Sequence, residues 1–253
     1  MNNSASTFSL PAPFEWIEIP AGSVTIIDGT IVNGTPGGEY HVADFAIAKY
    51  PVTNAQYRVF VETRDGYQNP SWWDFSDDAQ QWRSGHVHSF GPLVTSDDLP
   101  RTYVCWYDAM AFCRWLSYKL DMRITLPTEQ QWQRAAQGDD NRRYPWGNKA
   151  PNARLRCNFG EKVGKLTPVT RYPKGASPYG VMDMCGNCRE WCLTKWGTDS
   201  VDVTGKEPRV QRGSTWFDSF QYQPVARRHA DHPFVELELA GVGLRVVKLL
   251  SES

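Results

Sequence analysis

The stretch DMCGNCREW, residues 183–191, combines a glycine with an amide, a carboxylate and an indole within a few positions. Gly186 is typical of a turn that needs a positive φ or a close backbone approach. Trp191 is expected to stack in the interior, because burying its large aromatic ring removes much apolar surface from water. One stretch of this kind is weak evidence, so the fold follows only from the order of the motifs around it.

Composition limits the possible classes of function. The 253 residues fit one large domain or two small ones, enough for a core without disulfides. A balance of 27 basic against 28 acidic residues leaves a net charge of −1, so no global positive field attracts nucleic acid or an anionic membrane. No apolar run reaches the ~20 residues that a membrane span needs. The N-terminus lacks the pattern of a secretory signal, so we expect a cytoplasmic protein.

Aromatic residues and cysteines are the notable components. The 11 Trp, 11 Tyr and 11 Phe suit either a stacked core or an aromatic recognition surface. Interior stacking is expected for Trp106, Trp132, Trp146 and Trp191. In a reducing compartment the cysteines are expected to be mostly buried thiols, with a redox pair or disulfide and a metal site as alternatives. The six are Cys105, Cys113, Cys157, Cys185, Cys188 and Cys192.

Short strands are expected near both ends of the chain. Alternating or apolar segments separated by Asp-Gly and Asn-Gly turns predict a small antiparallel meander at the start. The predicted segments are strands over 15–19, 24–27 and 45–48, hairpin turns at 28–29 and 33–34, and a final strand within 242–247. Residues 1–13 are expected to be a flexible lead-in.

Three helices are predicted. Two begin with capping boxes, in which a threonine and a glutamine three residues later satisfy each other's backbone. These pairs are Thr53 with Gln56 and Thr128 with Gln131. A third helix is expected from Asp108, as its N-cap, to about Leu120. Residues 67–100 lack periodicity and are interpreted as a long, tryptophan-bearing loop, of the kind that is often functional.

Eight groups of motifs follow one another in an order that resembles a known family. They are Pro51–Tyr57, Cys105–Leu116, Leu126–Glu129 with Trp132, Tyr144–Gly147, Ser177–Val181, Asp183–Trp191, Arg212–Ser214 with Trp216, and Gly243–Val246. Together they resemble the formylglycine-generating-enzyme, or sulfatase-modifying factor, domain family over about residues 15–248. The resemblance implies an α+β, C-type-lectin-type fold with small twisted antiparallel sheets, two main helices and extensive irregular loops. We therefore expect a single such domain over 14–253.

The resemblance also defines what an oxidase of this family would need. In formylglycine-generating enzymes a cysteine pair a few residues after an Arg-Gly-Gly-Ser motif binds copper, since soft thiolates suit Cu(I). Here no cysteine follows Cys192, and the matching positions are Asp218 and Gln223. The related sulfoxide synthases carry an HxxxHxE-type iron site, which this chain lacks. The sequence therefore favours a non-catalytic protein. A metal-dependent oxidase with relocated ligands, such as His229, Asp231 and His232, is the alternative.

A binding function is the preferred interpretation. The chain resembles the variable proteins of diversity-generating retroelements, whose C-terminal segment is diversified to create ligand sites; here that segment is about 212–247. Its mixture of aromatic, acidic and imidazole side chains is typical of a binding surface. The expected ligand is a protein. The candidate contacts are Trp216, Phe217, Asp218, Phe220, Tyr222, His229, Asp231, His232, Phe234 and Glu236.

Asn187 and Glu190 match positions that help to hold calcium in some family members, and oxygen ligands suit that cation. The other interpretation is that both side chains only hydrogen-bond a turn, and no cofactor is expected to be required. A structural or regulatory module of a larger complex is a third possible function.

Overall fold

The computed structural model describes residues 8–26, 37–89, 91, 95–149, 151–219, 221, 224–235 and 241–250. Within these ranges the chain forms ten strands and four α-helices. In chain order they are β1 Trp16–Ile19, β2 Gly22–Ile26, β3 Gly38–Val42, β4 Phe45–Ala48, α1 Asn54–Glu62, α2 Asp77–Gly85, α3 Trp106–Leu120, β5 Ile124–Thr125, α4 Glu129–Gln137, β6 Arg189–Lys195, β7 Arg209–Arg212, β8 Arg228–Asp231, β9 Val242–Gly243 and β10 Val247–Leu249.

Three small sheets organise these strands. The first has the order β1-β4-β10-β5 and is antiparallel throughout, and β2 and β3 form a separate antiparallel pair. The third has the order β8-β7-β6-β9, in which β6 and β9 run parallel, with Glu190 opposite Gly243. The predicted N-terminal strands are present, but they do not form the predicted meander, because β1 pairs with β4 while β2 and β3 form a separate antiparallel pair. The predicted turns at 28–29 and 33–34 lie outside the described residues.

Two of the three helix starts predicted from the sequence are present in the structure. Both predicted capping boxes are present, at the start of α1 and of α4. The N-cap assigned to α3 is wrong, because the helix begins three residues earlier with Cys105 as its cap. The Asp108 carboxylate instead accepts hydrogen bonds from Tyr67 and Trp73 in the interior. A carboxylate with tertiary partners is not available to cap its own helix.

The segment 67–100 is not the plain loop that the sequence predicts. It contains a short 3₁₀ turn, Pro70–Trp73, and the helix α2, whose N-cap Ser76 accepts from the Ala79 amide at 3.2 Å. Helix α2 buries Ala79, Trp82 and Arg83. So short a buried stripe gives little periodicity to detect. The described residues therefore contain four α-helices, one more than the three predicted from the sequence.

The core has two principal parts. In the larger part, α1 and α3 pack an aromatic cluster that includes the fully buried Trp106, Trp115 and Trp191. In the second, Trp132 of α4 belongs to a cluster with residues from strands of all three sheets. Trp146 was expected in the interior but is only half-buried, with its ring stacked on Tyr144 at 5.2 Å. All six cysteines are buried thiols outside any disulfide, as expected. Among the described helices, none combines the length and apolarity that crossing a membrane requires.

Candidate ligand-binding surface

The turn at 183–187 forms the base on which the C-terminal segment rests. Asn187 adopts a φ of 68°, a left-handed conformation that asparagine tolerates better than most residues. Its side-chain oxygen accepts from the Thr167 amide at 3.0 Å, and its side-chain nitrogen donates to Asp183 at 2.9 Å. Its own carbonyl accepts from the Trp216 amide at 3.0 Å. The motif therefore fixes the start of the predicted binding segment.

Glu190 and Glu129 hold the sheet beneath this segment through buried ion pairs. Glu190 accepts from Trp132 at 2.6 Å and pairs with Arg245 at 2.7 Å. Glu129 pairs with Arg212 and Arg228 at 2.8 and 2.6 Å. All of these charged side chains are almost fully buried. Removing one partner of such a buried ion pair strongly destabilises the fold, so these contacts hold the sheet together beneath the segment.

These contacts fit a structural role for Asn187 and Glu190 better than a calcium site. Both carboxylate oxygens of Glu190 accept from the Arg245 guanidinium, and a second cation would have to compete with that charge. The Asn187 side-chain oxygen already accepts from Asn158 and Thr167. The side-chain oxygens that would bind calcium already accept hydrogen bonds from protein groups, and calcium binding stays a prediction.

The predicted contacts 216–218 form a first group. Phe217 is 38% exposed, and its ring meets the half-buried Trp216 edge-to-face at 5.2 Å. Asp218 accepts from the Thr215 amide at 2.8 Å and pairs with Arg189 at 3.1 Å. Burial alone would raise the pKa of Asp218, but the Thr215 bonds and the Arg189 charge hold it below its usual range. Asp218 is therefore an ionised, internally paired carboxylate.

His229 is held close to this first group. The Arg227 guanidinium donates to its Nε2 at 3.3 Å. Burial lowers the pKa of His229 to about 3, and the charges of Arg189 and Arg227 act in the same direction. The imidazole is therefore neutral and mostly covered, so it contributes shape more than charge.

His232 and Phe234 form a second group. Their rings stack at 5.3 Å, and the His232 Nδ1 contacts the Lys206 carbonyl at 2.9 Å. The neighbouring Asp231 carboxylate accepts from the His232 amide. Phe234 is 39% exposed and lines a cleft with a volume of about 310 Å³. The remaining predicted contacts, Phe220, Tyr222 and Glu236, lie outside the described residues.

Sequence reasoning did not identify the other walls of this cleft. They come from α2 and the residue that follows it, from Tyr107 of α3 and from Lys206. The lining side chains besides Phe234 include Asp78, Trp82, His86, Tyr107 and Lys206. The only sequence signal was that the tryptophan-bearing segment 67–100 could be functional. The pairing of that segment with residues 232–234 depends on tertiary packing.

The ligands that a relocated metal centre would use are not brought together. Across the described ranges, no group of three or more His, Cys, Asp or Glu side chains could hold a metal ion. His229 and His232 instead bond to Arg227 and to the Lys206 carbonyl. Burial raises the pKa of the Cys188 and Cys192 thiols well above the usual value, which disfavours thiolate formation. The structure thus contradicts the suggested His229–Asp231–His232 cluster.

The sequence matches a known family over nearly its whole length. Residues 5–250 match the sulfatase-modifying factor enzyme 1-like domain. The chain belongs to this family. The α+β, C-type-lectin-type fold expected from the motifs is confirmed.

Relatives within the family include both enzymes and a protein named as inactive. The chain is 31% identical to a hercynine oxygenase of Mycolicibacterium thermoresistibile over 84% of its own length and 53% of that relative. It is 30% identical to inactive C-alpha-formylglycine-generating enzyme 2 of Mus musculus, over 73% of the chain and 67% of the relative. The chain thus spans about half the length of the hercynine oxygenases that it matches.

Solved structures agree on the fold. PvdO from Pseudomonas aeruginosa aligns with a TM-score of 0.69 at 20% identity, covering 93% of this chain and 94% of that one. Treponema denticola variable protein 1 aligns with a TM-score of 0.67 at 21% identity, covering 93% and 95%. At these identities the likeness concerns the fold alone.

Proposed function

We propose that this chain is a non-catalytic ligand-binding protein whose binding surface is the segment of about residues 212–247. The observation that carries the proposal is the division of this segment into fixed and exposed side chains. Arg212 and Arg228 are buried in ion pairs with Glu129, whereas Phe217 and Phe234 are 38% and 39% exposed. Rigid aromatic anchors on a fixed base are the arrangement that favours tight recognition.

Asp218 supports the non-catalytic part of the proposal. It occupies the position that the resemblance assigns to the first copper-binding cysteine of the oxidases. Its carboxylate pairs with Arg189 and caps the turn at Thr215, so the position has become structural. A carboxylate in such a pair does not replace a soft thiolate at a Cu(I) centre.

We further propose that the chain is a variable protein of a diversity-generating retroelement. Its fold likeness to the Treponema denticola variable protein is consistent with this, and so is a buried framework that would tolerate changes in the side chains it displays. The ligand would be a protein rather than a nucleic acid, since the net charge is −1. Six buried cysteines, none of them in a disulfide, are consistent with action in the cytoplasm.

The second candidate function is a metal-dependent oxidase. It is favoured by the 31% identity to a hercynine oxygenase over most of this chain. The two functions differ in whether metal binding produces oxygen chemistry. A binding protein has no need to consume oxygen, whereas an oxidase must.

Metal loading with an oxygen electrode separates them. The purified chain is incubated with Cu(I) or Fe(II) and a thiol, desalted, and assayed for bound metal and oxygen uptake. We expect substoichiometric metal and no oxygen uptake above that of the same metal and thiol without protein. Stoichiometric metal with thiol-dependent oxygen uptake would overturn the proposal.

A further inference from the structure

We propose that the cleft beside Phe234 accepts an arginine side chain of the protein ligand. This inference rests on the proposed binding function and deepens it by naming the chemistry of one contact. The cleft has a volume of about 310 Å³, at the small end of ligand sites, which suits one long side chain better than a whole cofactor.

The walls of the cleft are aromatic and held in position. Trp82 donates its indole N–H to Asp108 at 3.3 Å, and His86 stacks on the indole at 3.7 Å. The Tyr107 hydroxyl donates to the Gly205 carbonyl at 3.4 Å. On the other side, His232 stacks on Phe234 and is tied to the Lys206 carbonyl. Aromatic rings attract cations through their negative faces, and guanidinium also stacks on them.

A carboxylate in the cleft also favours a cationic ligand. Asp78, in the first turn of α2, lies among these rings, and its partner is the ammonium of Lys206 at 3.3 Å. The Lys206 side chain is 58% exposed, so this pair contributes little stability. A cation of the chain itself therefore already occupies the place beside Asp78 where an incoming guanidinium would pair.

Arginine fits this environment better than lysine. Its planar guanidinium is less strongly hydrated and can stack on a ring while pairing with a carboxylate through two parallel N–H groups. Arginine is also among the residues enriched at the energetic centres of protein interfaces. Because Lys206 competes for Asp78, removing its charge is expected to strengthen the binding of a cation.

Two probes of equal shape test the inference without knowledge of the ligand. Binding of N-acetyl-argininamide and of the neutral isostere N-acetyl-citrullinamide is followed by NMR titration of the full chain. We expect a dissociation constant on the order of 1 mM for the arginine probe and at least severalfold weaker binding of the citrulline probe. Lys206→Gln should strengthen arginine binding about two- to fivefold, and Asp78→Asn should weaken it by a similar factor.

Phe234 and Phe217 provide a matched pair of variants, because they are equally exposed but only Phe234 lines the cleft. Phe234→Ala should weaken arginine binding about fivefold, and Phe217→Ala should leave it unchanged. Thermal unfolding confirms that each variant is folded. Equal binding of the two probes, no binding even to Lys206→Gln, or an equal effect of the two phenylalanine variants would overturn the inference. The proposed function would then still be decided by oxygen uptake, which does not involve this cleft.

Discussion

Glu190 accepts three hydrogen bonds in the interior, one from the Trp132 indole and two from the Arg245 guanidinium. Arg245 also donates to the Ala48 and Met182 carbonyls. One ion pair thus joins β6, α4, the end of β4 and the segment before β10. Removing one partner of this pair is costly, because the charge of the other stays buried without compensation.

Arg245→Met is therefore expected to lower the free energy of unfolding by about 3–5 kcal/mol. The control is Arg58→Met, which breaks an ion pair of 2.6 Å whose side chains are 43% and 64% exposed. That change should cost less than about 1 kcal/mol, because solvent screens the pair. Urea denaturation measures both. Similar losses for the two variants would show that burial does not determine the strength of the Glu190 pair.

His229 gives the surface a pH dependence of stability. Its folded pKa is about 3, below the unfolded value of 6.5, so the unfolded chain binds more protons between these values. Stability from this residue is present above pH ~6.5 and is lost as the pH falls towards ~3. We expect the wild type to lose about 2–4 kcal/mol relative to His229→Gln over that range. A constant difference between the two proteins from pH 7 to pH 4 would contradict this assignment.

At the scale of elements, α2 forms one wall of the cleft. The helix has nine residues, too few to be stable alone, and depends on its cap and on the burial of Trp82. The Ser76 hydroxyl accepts from the Ala79 amide and satisfies one of the free N–H groups at the helix start.

Ser76→Ala is expected to destabilise α2 by about 1 kcal/mol and to speed amide hydrogen exchange within it. Ser84→Ala is the control, since the Ser84 hydroxyl only donates to the Gln81 carbonyl at the exposed end of the same helix. That variant should exchange like the wild type. Equal exchange in both variants would mean that the cap does not hold the wall of the cleft.

The same elements show which features sequence patterns could predict. The capping boxes of α1 and α4 are local, because each pair lies three residues apart, and both were predicted. Helix α2 was missed since its buried stripe is short, and the cap of α3 was misplaced since Asp108 serves partners 26 to 41 residues away. The site followed the same rule: Phe234 was identified from its segment, whereas Trp82 and Asp78 reach it only through tertiary packing.

At the scale of the whole molecule, the motifs at 183–191, 212–214 and 243–246 meet as one buried framework. Arg189 lies opposite Val242, and Glu190 opposite Gly243, in the parallel pairing of β6 with β9. The residues that the family resemblance identified are thus largely those that hold the fold. The displayed side chains carry the function that we propose, which explains why the fold was easier to predict than the role.

The effect of calcium on stability tests whether Asn187 and Glu190 have a purely structural role. Because the side-chain oxygens of Asn187 and Glu190 are engaged by protein donors, we expect millimolar Ca²⁺ or a chelator to leave the midpoint of thermal unfolding unchanged. Mg²⁺ at the same ionic strength is the control for general salt effects. A rise in the midpoint that is specific to Ca²⁺ and absent in Asn187→Ala would support the calcium site predicted from the sequence.

The most direct test of the proposed role is to sequence the locus from many cells, reading codons 212–247 together with the flanking DNA. We expect substitutions confined to adenine-derived positions of a nearby template repeat. They should fall on displayed residues such as Phe217, His232 and Phe234 and spare the codons of Arg212 and Arg245. An identical segment in every cell, with no template repeat beside it, would contradict a diversified binding surface.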